Sequence, residues 1–217
     1  MYLIEKMRKT WLLLILVCCC HISIGKSVLP RTEGVNYRRL YQELGIGQTI
    51  GFPAFYKALE NYHKYRSEKQ DKLVVIDFTK PSTEKRFCVI DMQQKHVLFE
   101  TYVSHGKNSG GNYATSFSNQ PGSFKSSLGL FRTGETYYGK NGYSLVLEGL
   151  EKGINDKAKE RAIVIHGASY ADPALIPAQG RLGRSLGCPA LPPVVSQKVI
   201  DTIKEGMLLY IYGNNKV

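Results

Sequence analysis

Apolar residues recur at helical spacing in two early segments of the chain. From Tyr37 to Leu44, and again from Ala54 to Arg66, they fall three and four positions apart; Phe55, Leu59 and Tyr62 make one row, with Tyr56 on a neighbouring one. Pro53 suits the first turn of the second helix, where its missing N–H is not needed. After Lys72 the period changes. Leu73–Phe78, Arg86–Asp91, Val97–Ser104, Ser144–Glu148, Ala162–His166 and Leu208–Tyr212 are short runs rich in Val, Ile, Phe and Tyr. They are bounded by Gly, Pro, Asn and Ser, as strands are. Asp91–Lys95 reads as the turn of a hairpin. Val194–Glu205 carries Val195, Val199 and Ile203 on one stripe, with Pro192 and Pro193 before it and Gly206 after it, and predicts a helix. Gly106–Gly142 is a long Gly-, Ser-, Asn- and Tyr-rich connection of the kind that is usually functional. The pattern predicts a mainly β chain, a β-sandwich or barrel rather than a doubly wound sheet, with an N-terminal helical pad and one C-terminal helix.

Residues 1–25 stand apart. Lys6, Arg8 and Lys9 precede an apolar run that starts at Trp11, and the run is shorter than the roughly 20 residues a bilayer span needs. Ser23 and Gly25 supply small residues at the −3 and −1 positions of a cut after Gly25, which predicts a secretory signal peptide. The triplet Cys18, Cys19 and Cys20 also permits a lipid anchor. The expected organisation is signal peptide 1–25, linker and helical pad 26–71, and a β-rich domain 72–217, exported to the periplasm or cell envelope.

Of 217 residues, 43% are hydrophobic and 22% charged, which excludes a disordered, collagen-like or multi-span membrane chain. Lys and Arg number 29 against 18 Asp and Glu, a formal charge of +11 that falls only to +9 on removal of residues 1–25. Such a balance points to an acidic partner. For an exported chain without an RNA-binding aromatic signature, cell-wall polymer fits better than nucleic acid. The size predicts a monomer. Beyond the first 25 residues the only cysteines are Cys88 and Cys188. Cys88, between Phe87 and Val89, reads as core; a disulfide between the two is the alternative in an oxidising compartment.

The candidate chemistry lies at His166 and Cys188. Ala162–His166 is an apolar strand that ends in an ionisable ring, followed by Gly167 and Ala168, which leave room beside it. Cys188 stands in Gly183-Arg184-Ser185-Leu186-Gly187-Cys188-Pro189-Ala190, where Gly187 permits close approach of a ligand and Pro189 stiffens the turn. A thiol beside an imidazole can ionise near neutral pH and attack acyl carbons.

The order His-Gly, about twenty residues, then Ser-x-Gly-Cys resembles the signature of murein L,D-transpeptidases, the YkuD-like family. Ser104-His105-Gly106-Lys107-Asn108-Ser109-Gly110, Tyr113–Asn119, Ser126–Thr133 and Gly153-Ile154-Asn155-Asp156 extend the likeness over about Leu73 to Tyr212. The resemblance implies a β-sandwich with a groove over one sheet, and acyl transfer on peptidoglycan stem peptides. In that reading Cys188 is the nucleophile, His166 the base and Gly187 with Cys188 the source of oxyanion donors. Ser185 or a backbone carbonyl would orient His166. Arg184 would hold a stem carboxylate, while Tyr170, His105 and Gly167 would line the groove. Two positions depart from the common pattern: Leu186 stands where most members have a second His, and Ala190 where they have Asn. Ser126-Ser127-Leu128-Gly129 also replaces Thr-Pro-x-Gly.

Three other classes compete. A papain-like endopeptidase places its Cys before its His, the reverse of the order here. A zinc hydrolase needs three or four clustered ligands, and only His105, His166 and Cys188 are candidates, so no metal or cofactor is expected. A binding module that keeps the groove without the chemistry fits the two departures.

Overall fold

Residues 33–66 and 70–214 are described in a computed structural model of the chain; the export signal expected over residues 1–25 lies outside them. Two helices come first, α1 (Glu33–Leu44) and α2 (Phe52–Tyr65). Pro53 sits in the first turn of α2, and Ala54, Phe55, Ala58, Leu59 and Tyr62 form its buried stripe at the spacing the sequence predicts. Then follow β1 (Lys72–Asp77), β2 (Phe87–Asp91), β3 (His96–Thr101), β4 (Gly129–Gly139), β5 (Gly142–Gly149) and β6 (Val164–Gly167). A one-turn helix α3 (Ile176–Gln179), β7 (Ala190–Leu191), α4 (Pro193–Ile203) and β8 (Leu208–Tyr212) complete the order.

The strands make one sheet in the order β3-β2-β1-β8-β4-β5-β6-β7. Just past the end of β3, Ser104 bridges to Ala190 of β7, so the two edges of the sheet meet and it is nearly closed. Closure removes the exposed edges that would otherwise template aggregation. The mainly β architecture with a helical pad and a C-terminal helix is therefore what the chain adopts, its layers being parts of one curled sheet.

Strand alternation divides the core in two. Val74 and Ile76 of β1 point inward with Phe87, Val89, Phe131, Leu145, Leu147, Ile165, Leu209 and Ile211, where Val199, Ile200 and Ile203 of α4 also pack. Leu73 and Val75 point the other way, with Cys88, Ile90, Leu130 and Leu208, against Phe55, Ala58, Leu59 and Tyr62 of α2. Each such side chain is worth about 1.5–3 kcal/mol of burial, so a single truncation on the α2 stripe, such as Leu59→Ala, would loosen the pad from the sheet. Pad and sheet share this core inside one unit, Gly34–Val217.

The sequence pattern placed no strand inside Gly106–Gly142, yet β4 fills its last third. Gly129, Gly134 and Gly139 break the apolar run, and the pairing of β4 with β5 shifts register between Thr133 and Thr136. At Gly134 a Cβ would meet Val146 at 3.4 Å. β7, two residues long, is also below what periodicity can reveal. Among the described residues no helix is long and apolar enough to cross a membrane.

Candidate active site

The parallel pairing of β6 with β7 sets His166 opposite Ala190. Two residues before each of them lie Val164, at the start of β6, and Cys188, in the turn leading into β7, and there the Val164 N–H donates to Cys188 Sγ at 3.5 Å. The sheet thus brings together the two residues singled out from the sequence, as diagonal neighbours at the seam where it closes. Cys88 is elsewhere, in the core beneath α2, and both thiols are free.

Cys188 is 8% exposed. Its thiol donates to the Ala162 carbonyl at 3.6 Å rather than to His166. Ala162 holds φ at 52°, a left-handed conformation costing a non-glycine residue about 1–2 kcal/mol, and this turns its carbonyl toward the sulfur. Burial raises the thiol pKa, while the Val164 N–H, the Arg161 charge and the Cys188 N–H oppose that rise.

His166 is 3% exposed, and its tautomer follows from its partners. Nδ1 lies 3.0 Å from the Gly167 carbonyl, which can only accept, so Nδ1 carries the proton. Nε2 is left with its lone pair and accepts from the Tyr170 hydroxyl at 3.4 Å. Burial lowers the imidazole pKa, and the Gly167 carbonyl partly offsets it. Tyr170 is pushed up to about 12, by burial first and then by the charge of Cys188, so one hydroxyl senses both groups.

Ser185 does not reach His166. Its Oγ donates to the Cys188 carbonyl at 2.6 Å and accepts from the Gly187 N–H at 3.1 Å, which folds the turn that carries the thiol. The Gly187 N–H, expected as an oxyanion donor, is therefore already engaged. From below, Ser126 Oγ donates to the Gly187 carbonyl and accepts from the Gly106 N–H, each at 3.0 Å. At Gly106 a Cβ would meet the Phe124 carbonyl at 2.6 Å and the Gly187 Cα at 3.0 Å, so three backbone segments converge where only glycine fits.

The remaining sequence-predicted residues surround this turn without meeting in one place. His105 is 1% exposed and stands inside the wall: Arg86 Nη2 donates to its Nδ1 at 2.8 Å and its Nε2 faces the Gly110 carbonyl at 3.4 Å. A ring so enclosed cannot meet a substrate, because both nitrogens are taken. Arg184 Nη1 donates to the carbonyls of Gly110, at 3.0 Å, and Lys107, at 3.4 Å, which leaves its other nitrogens for a ligand. Gly167 lets α4 approach, since a Cβ would strike Ser196 Oγ at 2.4 Å. It also lines, with Asn141, Tyr143, Ser169, Pro193 and Gln197, an open depression of about 270 Å³ that includes neither His166 nor Cys188. A cavity of about 500 Å³ between α1, α2 and the turn at Met92–Lys95 includes neither His166 nor Cys188.

Sequence reasoning assigned no role to Arg161, Ala162, Ser126 or Ser127, although Ser126 and Ser127 stand in a motif that carries the resemblance. Their roles come from contacts with the turn and from each other, for which no local pattern exists. Asn155, part of a motif carrying the resemblance, is a brace: its Nδ2 donates to the Leu128 and Leu130 carbonyls, each at 2.9 Å. No group of three His, Cys, Asp or Glu among the described residues could hold a metal ion.

Residues 47–212 match the family model of the L,D-transpeptidase catalytic domain. No curated protein matches the chain. Among solved structures, an L,D-transpeptidase from Mycobacterium smegmatis is 16% identical over 58% of this chain and 54% of its own, with a TM-score of 0.36. The K307A mutant of the helical cell shape determining protein Pgp2 from Campylobacter jejuni is 15% identical over 87% and 58%, with a TM-score of 0.43. An L,D-transpeptidase from Stackebrandtia nassauensis is 19% identical over 82% and 77%, with a TM-score of 0.38. The chain spans about half the length of the first of these.

Proposed function

Because the chain belongs to the L,D-transpeptidase catalytic domain family, we propose that it is an exported cell-envelope enzyme acting on peptidoglycan stem peptides, with Cys188 as nucleophile and His166 as base. The observation that carries this reading is the tautomer of His166. Its unprotonated Nε2 lies on the Tyr170 side, where that hydroxyl also senses the Cys188 charge.

Rotation of the Cys188 side chain off the Ala162 carbonyl would hand its proton to Nε2, and such contacts commonly tighten only when substrate binds. The sulfur then bonds to the carbonyl carbon joining the third stem residue to a terminal D-alanine, giving a tetrahedral oxyanion. With the Gly187 N–H engaged by Ser185, the Cys188 N–H is the donor available to that oxygen. The C–N bond breaks, His166 returns the proton to the departing amine, and D-alanine leaves. An amine from a second stem attacks the thioester, transfers the acyl group and restores the thiol. The nitrogens of Arg184 not engaged by the Gly110 and Lys107 carbonyls would bind a stem carboxylate.

Water as acceptor would make the same site an L,D-carboxypeptidase. The observation favouring it is Leu186, 62% exposed beside the turn and without a polar group to hold an amine.

Intact-mass spectrometry of the protein with disaccharide-tetrapeptide tests the proposal, with Cys188→Ala as control. An acyl adduct and released D-alanine that vanish in the variant are expected, and the product mass separates cross-link from hydrolysis. No adduct and no D-alanine from several stem types, with Cys188 still titratable, would overturn it in favour of a binding module.

A further inference from the structure

One cation at the site takes no part in that proton transfer. Arg161 stands where the chain enters β6, and its guanidinium reaches across to the loop before β4. Nη1 donates to the Ser118 carbonyl and Ser127 Oγ, and Nη2 to the Lys125 carbonyl at 2.6 Å and Ser123 Oγ at 3.3 Å. Every acceptor is neutral. No carboxylate lies within ion-pair distance of it among the described residues. A half-buried guanidinium held only by dipoles has a desolvation cost that a nearby anion would offset.

The nucleophile supplies that anion when it ionises. A Cβ on Gly187 would stand 3.5 Å from Arg161 Nη2 and 3.0 Å from the Lys125 carbonyl, so the guanidinium and the loop it grips both lie against the residue preceding Cys188. Among the described residues the charge that raises the Arg161 pKa against burial is the Cys188 thiolate, and Arg161 in turn lowers the thiol pKa.

We propose that Arg161 is a positioning residue for the nucleophile: its charge favours the Cys188 thiolate, while its fork of donors clamps the Ser118–Ser127 loop against the Gly187–Cys188 turn. This rests on reading Cys188 as the reactive thiol. The double role requires arginine. Four acceptors spread over the loop match a planar fork, whereas the ammonium of lysine would keep the charge and lose most of the clamp. Attraction across a partly desolvated gap is also stronger than at an open surface.

The test is the pH dependence of Cys188 alkylation by iodoacetamide, read by peptide mapping on the full chain alongside thermal unfolding. In Arg161→Met the alkylation midpoint should rise by about one pH unit, slowing modification at neutral pH about tenfold. Arg161→Lys should keep a midpoint near that of wild type. Ser127→Ala, which releases one tether and leaves the charge, should lower the melting temperature without moving the midpoint. An Arg161→Met midpoint equal to wild type overturns the proposal, whatever the melting temperature. If Arg161→Met does not fold, Arg161→Gln carries the same comparison, because its amide still donates to a loop carbonyl. Alkylation needs no stem peptide. A chain that releases no D-alanine yet shows the Arg161-dependent midpoint would sink the transfer reaction and leave this inference standing.

Discussion

The Tyr170 hydroxyl lies 3.4 Å from Nε2 of His166, the nitrogen left unprotonated by the bond from Nδ1 to the Gly167 carbonyl. A contact of that length is weak in the resting site, and its value lies in aiming the ring. Tyr170→Phe should lower kcat about fivefold, the equivalent of about 1 kcal/mol for one hydrogen bond, and leave KM unchanged. Steady-state D-alanine release measures both. A rise in KM with kcat intact would make the hydroxyl a substrate contact instead.

Much of the architecture was legible because each interior strand alternates between two apolar environments. Leu73 and Val75 face α2 while Val74 and Ile76 face the inner core, so Leu73–Ile76 reads as a continuous apolar run. β4 was hidden because three glycines interrupt its apolar run, Gly134 lying against Val146 between the two sides of a register shift that local sequence does not record. His166 and Cys188 stood out as a polar ring ending an apolar strand and a thiol on a glycine turn. Arg161 did not, and Ser126 and Ser127 stood out only through the resemblance, since a serine in a Gly/Ser/Asn-rich stretch shows no role until its partner on the Gly187–Cys188 turn is known. Ser185 illustrates the same limit. The sequence offered it as a partner for His166, but its hydroxyl is spent within its own turn on Gly187 and Cys188.

Asn155 separates stability from chemistry. Fully buried, it donates twice to the segment entering β4 and accepts the Glu151 N–H at 2.9 Å. Asn155→Ala leaves those backbone groups short of partners and should cost about 3 kcal/mol. The loss would appear as a lower urea midpoint. The pH midpoint of Cys188 alkylation should stay in place, because Asn155 has no bond to the Gly187–Cys188 turn.

Leu186 is exposed, so Leu186→His should change stability little. Its position next to Gly187 places the new imidazole beside the site, where it can hydrogen-bond an incoming amine. The ratio of cross-linked to hydrolysed product should rise relative to wild type. Mass analysis of products from disaccharide-tetrapeptide reads that ratio directly. If both ratio and rate are unchanged, the leucine is not what sets acceptor preference.

His105 makes the fold acid-sensitive. Burial, and then the Arg86 charge, lower its pKa from 6.5 to about 3, so the folded protein holds it neutral with Nδ1 accepting from Arg86. An unfolded chain would protonate it near 6.5. Between those values the unfolded state binds more protons, so stability is full above about pH 6.5, falls as the pH drops, and stops falling near pH 3. By pH 4 the loss from this one ring is roughly 3 kcal/mol. The lowered pKa of His166 acts in the same direction. His105→Gln keeps an acceptor for Arg86 and removes the titrating group. It should therefore start less stable at pH 7, through imperfect packing, yet lose much less on acidification than wild type does. Urea unfolding at pH 7 and pH 4 measures the two differences, and equal losses in variant and wild type would refute a buried neutral imidazole at this position.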